Sequence, residues 1–232
     1  MRPSPINAPQ DRILLLVRSG DIDVTTFGST AKRETLLRPI RIDILRGMLG
    51  YRVFLIRQKD AARIAQLSRD ELRQYLQLGF NSQWTDLAIL QSNGFHVTTS
   101  PSYDGLFAML ASSRFDAFPR GLNEAWHEID EQTTRYPQLT VEKTWALFTP
   151  YPVYFWVRKD NIILAKQIER GLNQALADGS FHQLFMQYYA NEIEHIKNEK
   201  RRVIYLNNPL LPPNGAEIDT HWWWSTPNEI AP

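Results

Sequence analysis

The sequence predicts an α/β fold made of two similar lobes, and three observations carry that prediction. First, one structural phrase occurs twice. Ile13-Leu14-Leu15-Leu16-Val17 runs into Ser19-Gly20-Asp21-Ile22-Asp23-Val24, and Leu106-Phe107-Ala108-Met109-Leu110 runs into Ser112-Ser113-Arg114-Phe115-Asp116-Ala117-Phe118. Each copy is an apolar helix, a small polar stop and a strand opening with Asp between apolar residues, which is the αβ half of an α/β unit. Second, helix and strand patterns alternate along the chain, as layered α/β architecture requires. Third, Val153-Tyr154-Phe155-Trp156-Val157 is apolar throughout, as a strand covered on both faces would be. Two lobes with a cleft between them are built to hold a ligand.

Residues 1–9 carry three prolines and read as irregular. A helix is predicted over Gln10–Ser19, stopped at Gly20, with a strand at 22–27 and a turn at Gly28-Ser29-Thr30. The period-2 alternation of residues 40–45 predicts a half-buried strand or extended segment, and 51–56 is a stronger strand. Residues 57–60 break it and are the expected first crossing between lobes. Ser68-Arg69-Asp70-Glu71 is a capping box opening a short helix. A strand follows at 76–80, a loop at 81–84, and a helix at 87–92 that Asn93-Gly94 ends. Further on come a strand at 95–98, a helix at 102–111, a strand at 115–118, a helix at 123–134 and a strand at 141–148, with Pro150-Tyr151-Pro152 as the return crossing. In the helix predicted over 162–178, Leu164, Ile168, Leu172 and Leu176 fall on one stripe, and Gly179 closes it. Ser180 caps another helix carrying Phe181, Leu184, Phe185 and Tyr188. From Arg201 on, the Pro- and Asn-rich chain is expected to wrap the surface, and His221-Trp222-Trp223-Trp224 needs a place to bury its rings.

At 232 residues and 43% hydrophobic content, the chain can bury one large core or two small ones. Its 26 basic and 25 acidic side chains nearly cancel, which argues against duplex nucleic acid as a main partner. The absence of Cys removes disulfides, thiolate metal sites and a Cys nucleophile. No stretch approaches the ~20 apolar residues of a transmembrane helix, and no apolar region after Met1-Arg2-Pro3-Ser4-Pro5 marks a secretory signal.

Phosphate-loop, dinucleotide and hydrolase-elbow motifs are missing. His127-Glu128 lacks the second His of a zinc helix, and Glu192-Ile193-Glu194-His195 lies on a polar segment, so both read as solvated. Asp21 and Asp23 read as turn and cap residues. No nucleophile, base and orienting group assemble, so no catalytic, metal or cofactor residues are expected.

Two segments in order resemble the type II periplasmic solute-binding proteins of the polar-amino-acid branch (extracellular family 3). One is Ser19-Gly20-Asp21-Ile22-Asp23-Val24 with Ser29-Thr30-Ala31-Lys32-Arg33-Glu34 after it; the other is Tyr103-Asp104-Gly105-Leu106-Phe107-Ala108-Met109-Leu110, ending in Arg114-Phe115-Asp116-Ala117. Asp178-Gly179-Ser180-Phe181 and Phe185-Met186-Gln187-Tyr188-Tyr189 look like that family's C-terminal end, and a branch carrying Phe118-Pro119-Arg120-Gly121 and Gly50-Tyr51-Arg52 is the most similar.

The resemblance implies a two-lobed periplasmic-binding-protein type II fold with a hinge at 57–60 and 150–152. Lobe one would comprise residues 1–57 plus 153–232 and lobe two residues 58–152. It implies a periplasmic protein that captures a small polar, anionic or amino-acid-like ligand for an ABC-type transporter or a sensor. No nucleic acid and no membrane insertion are implied. Arg33 takes the position that holds the ligand α-carboxylate, a task suited to a bidentate guanidinium, with Ser29 and Thr30 beside it. Lobe two would contribute Gln83, Trp84 and Thr85 at a helix start, where N–H groups favour an anion.

Where the family places an Asp for the ligand ammonium, this chain has Pro119-Arg120-Gly121-Leu122. Arg120 would then select against an ammonium, the alternative being that Asn123 or Glu124 makes the amine contact. The resemblance also places the start of the chain after the family's opening strand–helix–strand. Lobe one is then expected to be N-terminally truncated, and the exposed strand edge to promote self-association. The rival reading is a degenerate binding-protein fold that acts as an interaction module without a small ligand.

Overall fold

The structure, a computed structural model, describes residues 8–212; the Trp222–Trp224 run lies outside the described residues. The chain divides into two compact units. Unit 1 holds residues 8–46, Tyr151–Tyr188 and 210–212, and unit 2 holds Gly47–Pro150 and Tyr189–Pro209.

Unit 1 is built on strand β9 (Val153–Arg158), which lies between β1 (Val24–Gly28) and β2 (Leu37–Ile40) and pairs antiparallel with both. The unbroken apolar run has the predicted cause. Tyr154 and Trp156 pack with Leu14 and Val17 of α1 (Gln10–Ser19). The alternate residues Phe155 and Val157 pack with Leu164, Ile168, Leu172 and Leu176 of α8 (Ile162–Ala177). A period-2 strand clothed by a helix on each face accounts for the pattern. Helix α1 stops at Gly20, whose φ of 92° is a conformation that L side chains rarely adopt.

Unit 2 carries a seven-stranded mixed sheet. Along it lie β10 (Arg202–Tyr205), β8 (Trp145–Phe148), β3 (Tyr51–Arg57), β6 (Ala117–Gly121), β4 (Gln77–Asn81) and β5 (His96–Ser100), with β7 (Leu139–Val141) also on β3. Its helices include α3 (Ala61–Gln66), α4 (Arg69–Tyr75), α5 (Leu87–Ser92), α6 (Tyr103–Ala111) and α7 (Ala125–Gln132). The predicted capping box is present with both bonds: Ser68 Oγ accepts from the Glu71 amide, and the Glu71 carboxylate accepts from that of Ser68.

Four sequence expectations differ from the structure. Residues 41–45 are not strand, because Asp43 turns inward, is 1% exposed, and accepts from the amides of Leu45 and Val153. The strand expected over 141–148 is two strands, interrupted where the Glu142 carboxylate takes the amides of Thr144 and Trp145. Strand 51–57, assigned from sequence to lobe one, pairs with β6, β7 and β8 in unit 2, and the unit boundaries fall after Arg46 and Pro150. The chain after Arg201 forms a strand, β10, parallel to β8. Helix α9 (Ser180–Glu199) spans the boundary between Tyr188 and Tyr189.

Candidate functional site

In unit 1 the candidate residues occupy the turn after β1. At its first residue, Gly28, a Cβ would stand 2.3 Å from Tyr151 Cζ, so only glycine lets the buried ring close on the strand end. Ser29 and Thr30 are 2% and 3% exposed. The Ser29 amide donates to Pro152 O at 2.8 Å, and Ser29 Oγ to Glu34 Oε1 at 3.3 Å. Thr30 caps α2 (Ala31–Leu36), its Oγ1 accepting from the Arg33 amide at 3.1 Å. Arg33 is 3% exposed. Its Nη1 donates to Gly28 O at 2.7 Å and its Nη2 to Gln10 Oε1 at 2.6 Å, with the guanidinium 4.8 Å from the Phe27 ring centre. The fork therefore binds the strand end and the first residue of α1.

In unit 2, Gln83 and Trp84 follow a turn closed by Asn81, whose Oδ1 accepts from the Gln83 amide at 2.8 Å and whose carbonyl accepts from that of Trp84 at 3.2 Å. Gln83 is exposed; Trp84 and Thr85 are half-buried. Helix α5 has only six residues, and its N-cap is Asp86, which is ion-paired to Arg52. That carboxylate makes no cap bond to the helix and is taken by Arg52 instead. Trp84 stacks on Phe118 (6.2 Å, 13°), meets Phe80 edge-on (5.1 Å, 84°) and has the Arg120 guanidinium 4.5 Å from its centre.

Arg120, at the end of β6, is 5% exposed. Its Nε and Nη2 donate to the two oxygens of Glu128 at 2.6 and 2.5 Å, and Nη2 also reaches Glu124 at 2.9 Å. Burial works against the guanidinium charge, but the neighbouring Glu124 and Glu128 outweigh it and hold the group above its usual range. Tyr103 shares this cluster. Burial, then its hydrogen bond to Glu128, pushes the hydroxyl up. Two carboxylates face one guanidinium, so the corner carries an excess of one negative charge.

That excess corrects two sequence expectations. Arg120 is neutralised rather than presented as a lone positive charge. Glu128, read as solvated beside His127, is 6% exposed and indispensable to the pair. The spacing hid it, because Arg120 and Glu128 stand eight residues apart across a strand-to-helix turn. Glu124 is tied back to the strand end: its Oε2 accepts from the Gly121 amide at 3.2 Å and stands 3.1 Å from where a Cβ on residue 121 would be. Its side chain is 31% exposed, the most open carboxylate of the cluster. Gln10, the acceptor on the Arg33 fork, is a residue that sequence reasoning did not single out.

Among the described residues, no three His, Cys, Asp or Glu lie close enough to hold a metal ion, and no helix is long and apolar enough to cross a membrane.

Neither a protein-family model nor a curated protein matches the chain. Solved structures do. An ancestral arginine-binding protein bound to glutamine is similar at a TM-score of 0.58 and 18% identity, over 78% of this chain and 77% of that one. The amino acid ABC transporter substrate-binding protein AbpA from Streptococcus pneumoniae, bound to L-arginine, gives 0.58 and 15%, over 82% and 76%. A histidine kinase sensor domain with similarity to periplasmic binding proteins gives 0.58 and 15%, over 78% and 75%. The chain has the α/β fold of the type II periplasmic amino-acid-binding proteins.

Proposed function

We propose that this chain is a solute-binding protein that captures an amino-acid-like ligand, carrying both a carboxylate and an ammonium, and does no chemistry on it. The observation that carries the reading is the likeness, over 78% of the chain, to a binding protein holding glutamine, together with the similar L-arginine complex. Two local features support it. In unit 1, Arg33 holds Gln10 through a neutral amide oxygen, which a ligand carboxylate would replace as a stronger acceptor. In unit 2, Glu124 is a partly open carboxylate within an acid excess, suited to an ammonium. Ser29 and Thr30 hold the first turn in shape; Gln83, Trp84 and Thr85 are the further candidate contacts. The resemblance to transporter-associated and sensor proteins favours delivery to a permease or a sensor as the biological role, in a periplasmic setting.

One observation favours the second reading, an interaction module without a small ligand. The guanidiniums of Arg33 and Arg120 are both buried on internal acceptors. A thermal-shift screen of the proteinogenic amino acids and of small dicarboxylates separates the two readings. A ligand that binds only the folded chain raises the melting temperature. A rise with one or a few amino acids supports capture, and no rise across the panel supports the module.

A further inference from the structure

We propose that the open edge of β1 is an interaction surface whose partner is a second copy of this chain, joined antiparallel, strand to strand. The three-stranded sheet of unit 1 has the order β1-β9-β2, and among the described residues β1 pairs only with β9. Which backbone groups the edge presents follows from the register. The Ser29 amide donates to Pro152 O, and Gly28 stands opposite Val153, so the hydrogen-bonded pairs with β9 alternate from Ser29 through Phe27 and Thr25. Val24, Thr26 and Gly28 therefore turn their N–H and C=O groups away from the sheet. The Gly28 carbonyl agrees with this, because it accepts from Arg33 Nη1, outside the sheet. Thr26 is exposed and Val24 half-buried.

The opposite edge is closed by its own sequence. Trp156 directs its backbone groups to Thr25 of β1, so Phe155 and Val157 bond to Ile40 and Arg38, and Leu37 and Pro39 turn outward. Pro39 has no N–H to offer there, which protects an edge strand. The run Val24-Thr25-Thr26-Phe27-Gly28 has no Pro, Lys or Arg to do the same. Charge selects the occupant. Asp21 and Asp23 are exposed just before β1, and Lys32 is exposed shortly after it. A parallel neighbour of the same sequence would set like charges side by side, whereas an antiparallel one sets the acidic start of each strand beside the basic end of the other. With Thr26 opposite Thr26 of the second copy, Val24 stands opposite its Gly28, each outward N–H meets a carbonyl, and the two exposed threonines pair. The contact is self-complementary, as a two-fold dimer requires. A carbonyl has two acceptor positions, so Gly28 O keeps its Arg33 bond. One short strand pair is a small interface, and the dimer is accordingly weak and reversible.

Sedimentation equilibrium of the full chain from about 1 to about 500 µM tests this, a range in which a small interface populates. The parent chain should pass reversibly from monomer to dimer. Thr26→Pro removes only an outward N–H, and Thr26→Lys adds a like charge where the two copies meet; each should weaken the dimer about tenfold or more. Unchanged far-ultraviolet dichroism shows that the variants stay folded, and if Thr26→Pro unfolds the chain, Thr26→Lys, at an exposed side chain, decides. Asp23→Lys should weaken the dimer about fivefold, and adding Lys32→Glu should restore it, which separates antiparallel pairing from unspecific association. A parent chain that stays monomeric throughout overturns the proposal, and slow exchange of the Thr26 amide in that monomer would show that another part of the chain covers the edge. A dimer left intact by both Thr26 variants overturns it too, because association then uses a different surface.

Discussion

Arg120 and Glu128 form a fork-on-fork ion pair, Nε to Oε2 at 2.6 Å and Nη2 to Oε1 at 2.5 Å, with both residues less than 7% exposed. The pair ties the end of β6 to α7, and Tyr103, Trp84 and Phe118 wall it in. Planar donors meeting planar acceptors in low dielectric are strongly coupled, and removing one partner leaves the other buried and unsatisfied.

Glu128→Ala should therefore destabilise the protein by about 3–5 kcal/mol, read as a fall in the denaturation midpoint. Arg120→Asp should be at least as damaging, because it would gather three carboxylates in one buried corner. If Arg120→Asp melts like the parent chain, the buried-pair description is wrong.

Much of unit 1 is legible in the sequence because its signals are local or periodic. The run from Val153 to Val157 has no polar face because α1 and α8 cover both sides. The stripe of Leu164, Ile168, Leu172 and Leu176 names the helix face that does so. What was not legible depends on distant partners. Strand β10 is four residues long beside Asn and Pro, and it exists because β8 offers an edge to pair with. Asp43 and Glu142 break their expected strands by accepting backbone amides, and a carboxylate in a period-2 pattern gives no sign of that. That Arg33 follows the Gly28-Ser29-Thr30 turn is legible, but its engagement by Gln10 is not, since that contact spans α1 and α2.

Gln10→Glu tests the role of Arg33 from within. A carboxylate on the Arg33 fork would imitate a bound ligand, so the variant should melt no lower than the parent and should bind L-glutamine about tenfold more weakly or worse. A tenfold loss corresponds to about 1.4 kcal/mol, within the range of a lost charge-assisted contact. Unchanged affinity by calorimetric titration would remove Arg33 from the site.

Gly28→Ala should destabilise unit 1. The added Cβ would lie 2.3 Å from Tyr151 Cζ and 2.7 Å from its Cε2 and Oη, and the ring is itself buried. Overpacking of this kind costs about 1–3 kcal/mol, measurable by urea denaturation. A double variant with Tyr151→Ala should show less than the additive loss, since the clash is then gone.

Stability should fall steeply in alkali. Burial first, then the charge of Asp43, pushes the Tyr154 hydroxyl up from 10.0 to about 12, against the opposing charge of Arg41. Tyr51 and Tyr103 are raised as well, chiefly by burial. Because the folded value lies above the unfolded one, the native state keeps a proton that the unfolded chain releases. The associated stability is full below pH 10 and is lost as pH rises towards 12. Tyr154 alone should account for on the order of 2 kcal/mol. Denaturation midpoints followed with tyrosinate absorbance would show this, and a flat profile across that window would contradict it.

The most direct test of ligand capture is calorimetric titration of the intact chain with L-glutamine, L-arginine and the strongest other amino acid from the thermal screen, repeated on Arg33→Ala. The account predicts saturable one-to-one binding by the parent chain and a loss of about 2–4 kcal/mol in the variant. No saturable binding by the parent chain, or equal binding by Arg33→Ala, would contradict it.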